Sequence, residues 1–129
     1  MSSSGIMMKP AIKQFDEGSE YYFEEGCFIN ELHNDDSDPG VSIARARVAP
    51  GETTRWHRLR DTVERYVILQ GSARVEVGGL PPASIGTGDV VLIPEGVAQR
   101  ISNTGDDDLV FLAICSPRFV PEVYEDIDP

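Results

Sequence analysis

Hydrophobic and polar residues alternate in short runs along most of this chain, and no run has the length and spacing of an amphipathic helix. A period of two places successive side chains on opposite faces of a strand. The segments CFINEL (27–32), VSIARARV (41–48), TTRWHRL (53–59), ERYVILQ (64–70) and SARVEV (72–77) read as strands, followed by DVVLIP (89–94), AQRISN (98–103) and LVFLAIC (109–115). Between them lie NDDSDPG, APGE, GGLPP, GTGD, PEG and NTGDDD, clusters of residues that favour turns. About eight closely spaced strands predict an all-β sandwich or barrel. The whole chain, 1–129, is expected to be one domain, with the barrel over about 27–116. A flexible N-terminal segment, 1–10, and an acidic C-terminal tail, 117–129, are expected to be frayed or laid over the barrel.

The same period sorts side chains by face. Arg55, His57 and Leu59 fall on one face of their segment, with Trp56 and Arg58 on the other. Glu64, Tyr66, Ile68 and Gln70 share a face, and Gln99, Ile101 and Asn103 alternate with Arg100 and Ser102. Periodicity alone does not say which faces of different strands meet.

Composition and charge narrow the function. The 129 residues are 40% hydrophobic and 26% charged, an ordinary globular make-up. A chain of this length buries about two thirds of its unfolded surface. Eleven Lys and Arg against 22 Asp and Glu leave a net charge of −11, which repels phosphate backbones and anionic lipid. Neither a nucleic acid nor a membrane is the expected partner. No apolar run approaches the length of a bilayer span. The opening MSSSGIMMKP lacks the basic and apolar regions of a secretory signal, so a cytoplasmic location is expected. Cys27 and Cys115 sit inside apolar segments with no basic neighbour in sequence, and read as buried small hydrophobes. His33 lies in a turn-rich loop, where exposure is the common state of a histidine.

Two stretches carry a pattern beyond periodicity. In the first, Gly51 is followed by five residues and His57, one residue and Leu59, four residues and Glu64, six residues and Gly71. In the second, Gly88 is followed by five residues and Pro94-Glu95-Gly96, two residues and Gln99, three residues and Asn103. In order and spacing these resemble the two motifs of the cupin superfamily, in its small single-domain form. Leu59 and Gln99 stand where the family motifs carry histidines. The resemblance spans residues 51–103 and implies a double-stranded β-helix, or jelly-roll barrel. Part of the pattern concerns folding: Gly71 and Gly88 fall at turns where a positive φ is tolerated by glycine, and Pro94 suits a turn or an edge.

The resemblance also implies a divalent transition metal inside the barrel, held by three histidines and the glutamate. Carried over residue by residue, the ligands here are His57, Glu64 and Gln99, with nothing from Leu59. Imidazole and carboxylate suit iron, manganese, nickel or zinc, whereas an amide oxygen is a weak ligand. Losing two imidazoles lowers affinity by several orders of magnitude, at about 1.4 kcal/mol per tenfold. The competing reading is a metal-free cluster in which His57, Glu64 and Gln99 satisfy one another by hydrogen bonds, since such groups are costly to bury unpaired. On either reading these three residues mark the pocket.

Four further residues are candidates for holding a substrate. Arg45 and Arg47 share a strand face, and either grips a carboxylate or phosphate at the barrel mouth or pairs with surface acids. Arg55 shares its predicted face with His57, and Tyr66 shares one with Glu64, where it donates a hydroxyl or fills the barrel. Two functions compete. One is a metal-dependent enzyme on a small oxygenated substrate, with Glu64 as the catalytic proton carrier. The other is a metal-free binding or sensor module with a degenerate metal site. Family resemblance further implies a homodimer, and the sheet edges need cover in any case.

Overall fold

The computed structural model describes residues 8–129, so residues 1–7 of the segment expected to be flexible lie outside the described residues. Eleven strands form: β1 (Tyr21–Phe23), β2 (Cys27–His33), β3 (Ser42–Val48), β4 (His57–Leu59), β5 (Val63–Gln70) and β6 (Ser72–Val77), then β7 (Ala83–Gly86), β8 (Val90–Ile93), β9 (Gln99–Asn103), β10 (Leu109–Ser116) and β11 (Tyr124–Asp126). They make two antiparallel sheets, in the orders β1-β2-β3-β10-β5-β8 and β11-β4-β9-β6-β7. This is the all-β jelly roll that the sequence predicts. No helix among the described residues is long and apolar enough to cross a membrane.

Alternation places the core between the sheets. Tyr66 and Ile68 of β5, Val91 and Ile93 of β8, and Phe111 of β10 meet Ala73, Val75 and Val77 of β6 and Ile101 of β9. The intervening residues face outward, and Arg100 packs its guanidinium on the Trp56 ring at 4.6 Å. The turn between β5 and β6 depends on Gly71. Its φ is 96°, and a Cβ there would lie 3.0 Å from the Asp108 carbonyl oxygen and 3.1 Å from Leu109 Cα. Both neighbours are backbone and have no room to yield.

Two features depart from the alternation. The segment 53–59 is a strand only over its last three residues. Thr54 N–H still bonds the Ile101 carbonyl at 2.9 Å, but Arg55 N–H turns to the Glu25 carbonyl at 2.8 Å. The ladder changes partner between these two residues, so Arg55 does not inherit the face of His57. It is exposed and pairs with Asp126 at 2.6 Å.

The acidic C-terminal segment is the second departure. It joins the smaller sheet as β11, with Tyr124 opposite Leu59, Glu125 opposite Arg58 and Asp126 opposite His57. Arg58 and Arg60 reach Glu125 at 2.7 and 3.3 Å. These ion pairs are exposed, so each contributes little. The backbone pairing and the inward Tyr124 ring do more. β1, β7 and β11 span only three or four residues each. That is too short for a periodic signal of their own, and they exist because a partner strand is already in place.

Candidate functional site

Four strands deliver polar side chains to the barrel interior. From the smaller sheet come His57 of β4 and Gln99 of β9, which are direct partners across the ladder. From the larger sheet come Glu64 and Tyr66 of β5, with Cys115 of β10 directly opposite Glu64. His57 is 1% exposed, Gln99 0% and Glu64 8%. Gln99 links the two sheets. Its Nε2 donates to Glu64 Oε1 at 2.7 Å, and its Oε1 accepts the Tyr66 hydroxyl. The amide therefore turns its N–H side, not its oxygen, toward the carboxylate. Cys115 adds a weak thiol contact to Glu64 Oε2 at 3.7 Å.

His57 is oriented from the backbone. Its Nδ1 lies 2.7 Å from the Arg55 carbonyl oxygen. A carbonyl only accepts, so the proton sits on Nδ1. Nε2 is left facing Glu25 Oε1 at 3.6 Å, beyond a good hydrogen bond. Tyr124 covers the imidazole, with ring centroids 5.3 Å apart and planes 24° from parallel, and it meets Phe23 edge-on. The Tyr124 hydroxyl is buried and has no hydrogen-bond partner among the described residues.

Burial sets the protonation of the cluster. Desolvation pushes the Glu64 carboxyl up to about 7, the Glu25 charge adds to the rise, and the Gln99 N–H and His57 oppose it. Burial likewise raises Tyr66 well above the ordinary phenol range and raises Tyr124. The thiols of Cys27 and Cys115 are raised by burial and by the neighbouring Glu25 and Glu64, respectively. Both cysteines are buried thiols, in keeping with their reading as small hydrophobes.

A cavity of about 60 Å³ opens beside Glu64, Tyr66 and Glu25, bounded within the barrel by Phe111 and Ala46. At about 10–15 Å³ per water-sized sphere, it has room for a few waters or a ligand of a few heavy atoms. Glu64 and Tyr66 line it, whereas His57 and Gln99 do not. The arginines lie elsewhere. Arg45 and Arg47 pair with Glu20 at 3.6 and 2.6 Å, and Arg47 also pairs with Asp108 at 3.2 Å. Arg47 in addition covers the Phe28 ring at 4.2 Å. With Arg55 held on Asp126, none of the three lines the cavity. His33 contacts Lys13 at 2.7 Å and Asp38 at 2.8 Å, away from the barrel interior.

The donor set does not fit a divalent metal. Leu59 is buried without a donor atom, and the Gln99 oxygen, the one amide atom able to ligate, is taken by Tyr66. A cation beside Glu64 would face the hydrogens of the Gln99 amide. Among the described residues, no three His, Cys, Asp or Glu side chains are grouped to hold a metal ion. Glu25, Cys27 and Tyr124 complete the site without having been singled out as site residues from sequence. Glu25 sits in the β1–β2 turn beside Gly26, whose φ is 105°, and that Glu-Gly pair is the one local hint of a turn there.

The last residue of the second motif is structural. Asn103 Nδ2 donates to the Val48 and Asp107 carbonyls, each at 2.8 Å, and its Oδ1 accepts from Gly105 N–H at 2.9 Å. Asn103→Ala strands these buried partners and is expected to cost about 2–4 kcal/mol. Chemical denaturation measures this, and a loss below about 1 kcal/mol would remove the structural role.

The cupin domain profile matches residues 44–115, more than half of the chain. The chain thus belongs to the cupin-domain family of β-barrel proteins. It is 35% identical over 72 residues to an oxalate-binding protein of Thermotoga maritima, a match covering 56% of this chain and 59% of that relative. The chain thus spans less than two thirds of that relative's length. Among solved structures it resembles KdgF from Halomonas sp., with TM-score 0.74 at 17% identity over 84% of this chain and 96% of that one. It also resembles a protein described as a predicted oxalate decarboxylase from Thermotoga maritima, with TM-score 0.74 at 23% identity over 83% and 99% of the two chains. At these identities the structures speak for the fold alone.

Proposed function

We propose that this chain is a metal-free small-molecule-binding cupin whose ligand occupies the cavity beside Glu64. The observation that carries the reading is the orientation of Gln99, which donates to Glu64 through Nε2 and accepts Tyr66 through Oε1. The pair satisfies buried polar groups that a metal would otherwise have to satisfy. The oxalate-binding relative supports a small ligand of some kind.

Metal analysis of protein purified without a histidine tag or chelator is the direct test. No stoichiometric transition metal is expected, and the melting temperature should ignore added Mn²⁺, Fe²⁺, Ni²⁺ and Zn²⁺. About one equivalent of metal, lost in His57→Ala, would overturn the proposal.

One observation favours a second reading, an enzyme acting on a small oxygenated substrate. The Glu64 carboxyl is poised at about 7, where proton transfer in either direction is effective. On that reading Glu64 is the catalytic residue, and Tyr66, whose hydroxyl proton goes to Gln99, lines the pocket beside it. The homodimer implied by the family belongs to the same proposal. The edge strand β8 offers exposed Val90 and Leu92, and light scattering should return twice the 14.2 kDa chain mass.

A further inference from the structure

We propose that the cavity beside Glu64 selects a small organic ammonium ion over a carboxylate such as oxalate. The inference rests on the reading of this cavity as a small-molecule site and adds the charge and size of its occupant. Glu25, Glu31 and Glu64 all line the cavity, together with the rings of Tyr21, Phe23 and Phe119, and no Lys, Arg or His lines it. Carboxylates beside aromatic faces recognise alkylammonium groups, through charge and through the ring quadrupole. A dianion would meet like charge from every acidic wall.

A second observation concerns how few hydrogen bonds Glu25 receives. Glu25 is only 9% exposed. Its Oε2 receives the weak Cys27 thiol at 3.5 Å. Its Oε1 faces His57 Nε2 at 3.6 Å. The Nδ1–H of His57 is committed to the Arg55 carbonyl, and Nε2 stands beyond hydrogen-bond distance of Glu25 Oε1. A buried carboxylate with so few donors is costly to maintain. An ammonium N–H, reaching Glu25 from the cavity, supplies the missing donor and its charge together.

The arginines do not rescue an anionic ligand. Arg45, Arg47 and Arg55 are held by Glu20, Asp108 and Asp126 on the outside of the barrel. Arg118 lies nearest to an exception. It lines the open recess outside the cavity, next to Asn34 and Phe119, and its Nη1 is held on Asn34 Oδ1 at 2.9 Å. It stands at the entrance and does not line the inner cavity. The small volume admits an ammonium group with only a few carbons.

The test is a titration of the full-length, chelator-treated protein, followed by amide NMR at physiological ionic strength. The probes are ethylammonium and tetramethylammonium, ethanol as the neutral comparison, and acetate and oxalate as anions. Saturable shifts from an ammonium probe, centred on β1, β2 and β5 and weakened by at least about tenfold in Glu25→Gln, are the expected result. Glu31→Gln should weaken binding less, because Glu31 is exposed. The same spectra report whether each variant is folded. Ethanol or an anion binding in the cavity as tightly as the ammonium would overturn this inference and leave the small-molecule reading standing. Ammonium shifts confined to the acidic outer surface, or unchanged in both variants, would overturn it too. If no probe of any charge perturbs the cavity residues, the small-molecule reading itself falls, and this inference with it.

Discussion

Leu59→His combined with Gln99→His is expected to yield a protein that divalent ions stabilise more than they do the wild type. The two substitutions restore imidazoles at the positions where the family motifs carry them, and both side chains already point inward, Leu59 at 5% and Gln99 at 0% exposure. Gln99→His also removes the amide that now donates to Glu64 and occupies Tyr66. At a metal concentration one hundred times the dissociation constant, binding adds about 2.7 kcal/mol. For a domain of this size that raises the melting temperature by roughly 10 °C. Differential scanning calorimetry with and without Mn²⁺ or Zn²⁺ measures the change, with the wild type as the reference. A double variant that folds and still shows no metal response would mean that backbone positions, not the two missing imidazoles, disqualify the site.

The second large effect concerns Glu64 and pH. Its carboxyl is raised from an ordinary value of 4.5 to about 7, chiefly by burial and then by Glu25. Between those values the folded chain holds a proton that the unfolded chain has released. Folding stability from this group is therefore fully present below 4.5 and is lost as pH rises through about 7. At 1.36 kcal/mol per unit, the loss amounts to about 3 kcal/mol. Glu64→Gln keeps the size and an acceptor for Gln99 but cannot ionise. Relative to wild type, the variant should gain roughly 3 kcal/mol between about pH 5 and pH 8, read from urea midpoints at each pH. Parallel pH profiles would show that Glu64 is ionised at no unusual cost. That outcome would also remove the basis for a proton-transfer role at neutral pH.

The comparison of pattern with structure is instructive residue by residue. Glu64, Tyr66 and Ile68 share an inward face because β5 is long and regular, and the same holds for Gln99, Ile101 and Asn103 on β9. Arg55 breaks the rule two residues before His57, where a backbone hydrogen bond to Glu25 replaces the β9 ladder. No local preference announces such a change of partner. The outward positions of Arg45 and Arg47 follow from β3 alternation, but their engagement by Glu20 and Asp108 depends on residues 25 or more positions away in the chain. The C-terminal segment reads as an acidic tail by composition. It becomes a strand because β4 leaves an edge that it can pair.

Alternation and turn residues were enough to determine the strands and the turns that Gly71 and Gly88 allow, while the resemblance of the motifs to those of the cupin family implied the jelly-roll barrel and the inward placement of His57, Glu64 and Gln99. These properties are local: a period of two and a positive φ belong to a few consecutive residues. The tertiary structure alone decided which end of the Gln99 amide faces Glu64, that Glu25 meets His57 from a distant turn, and that Tyr124 covers the imidazole. Those outcomes depend on which buried donors and acceptors meet once both sheets have closed, and burial then sets how costly each unpaired group becomes.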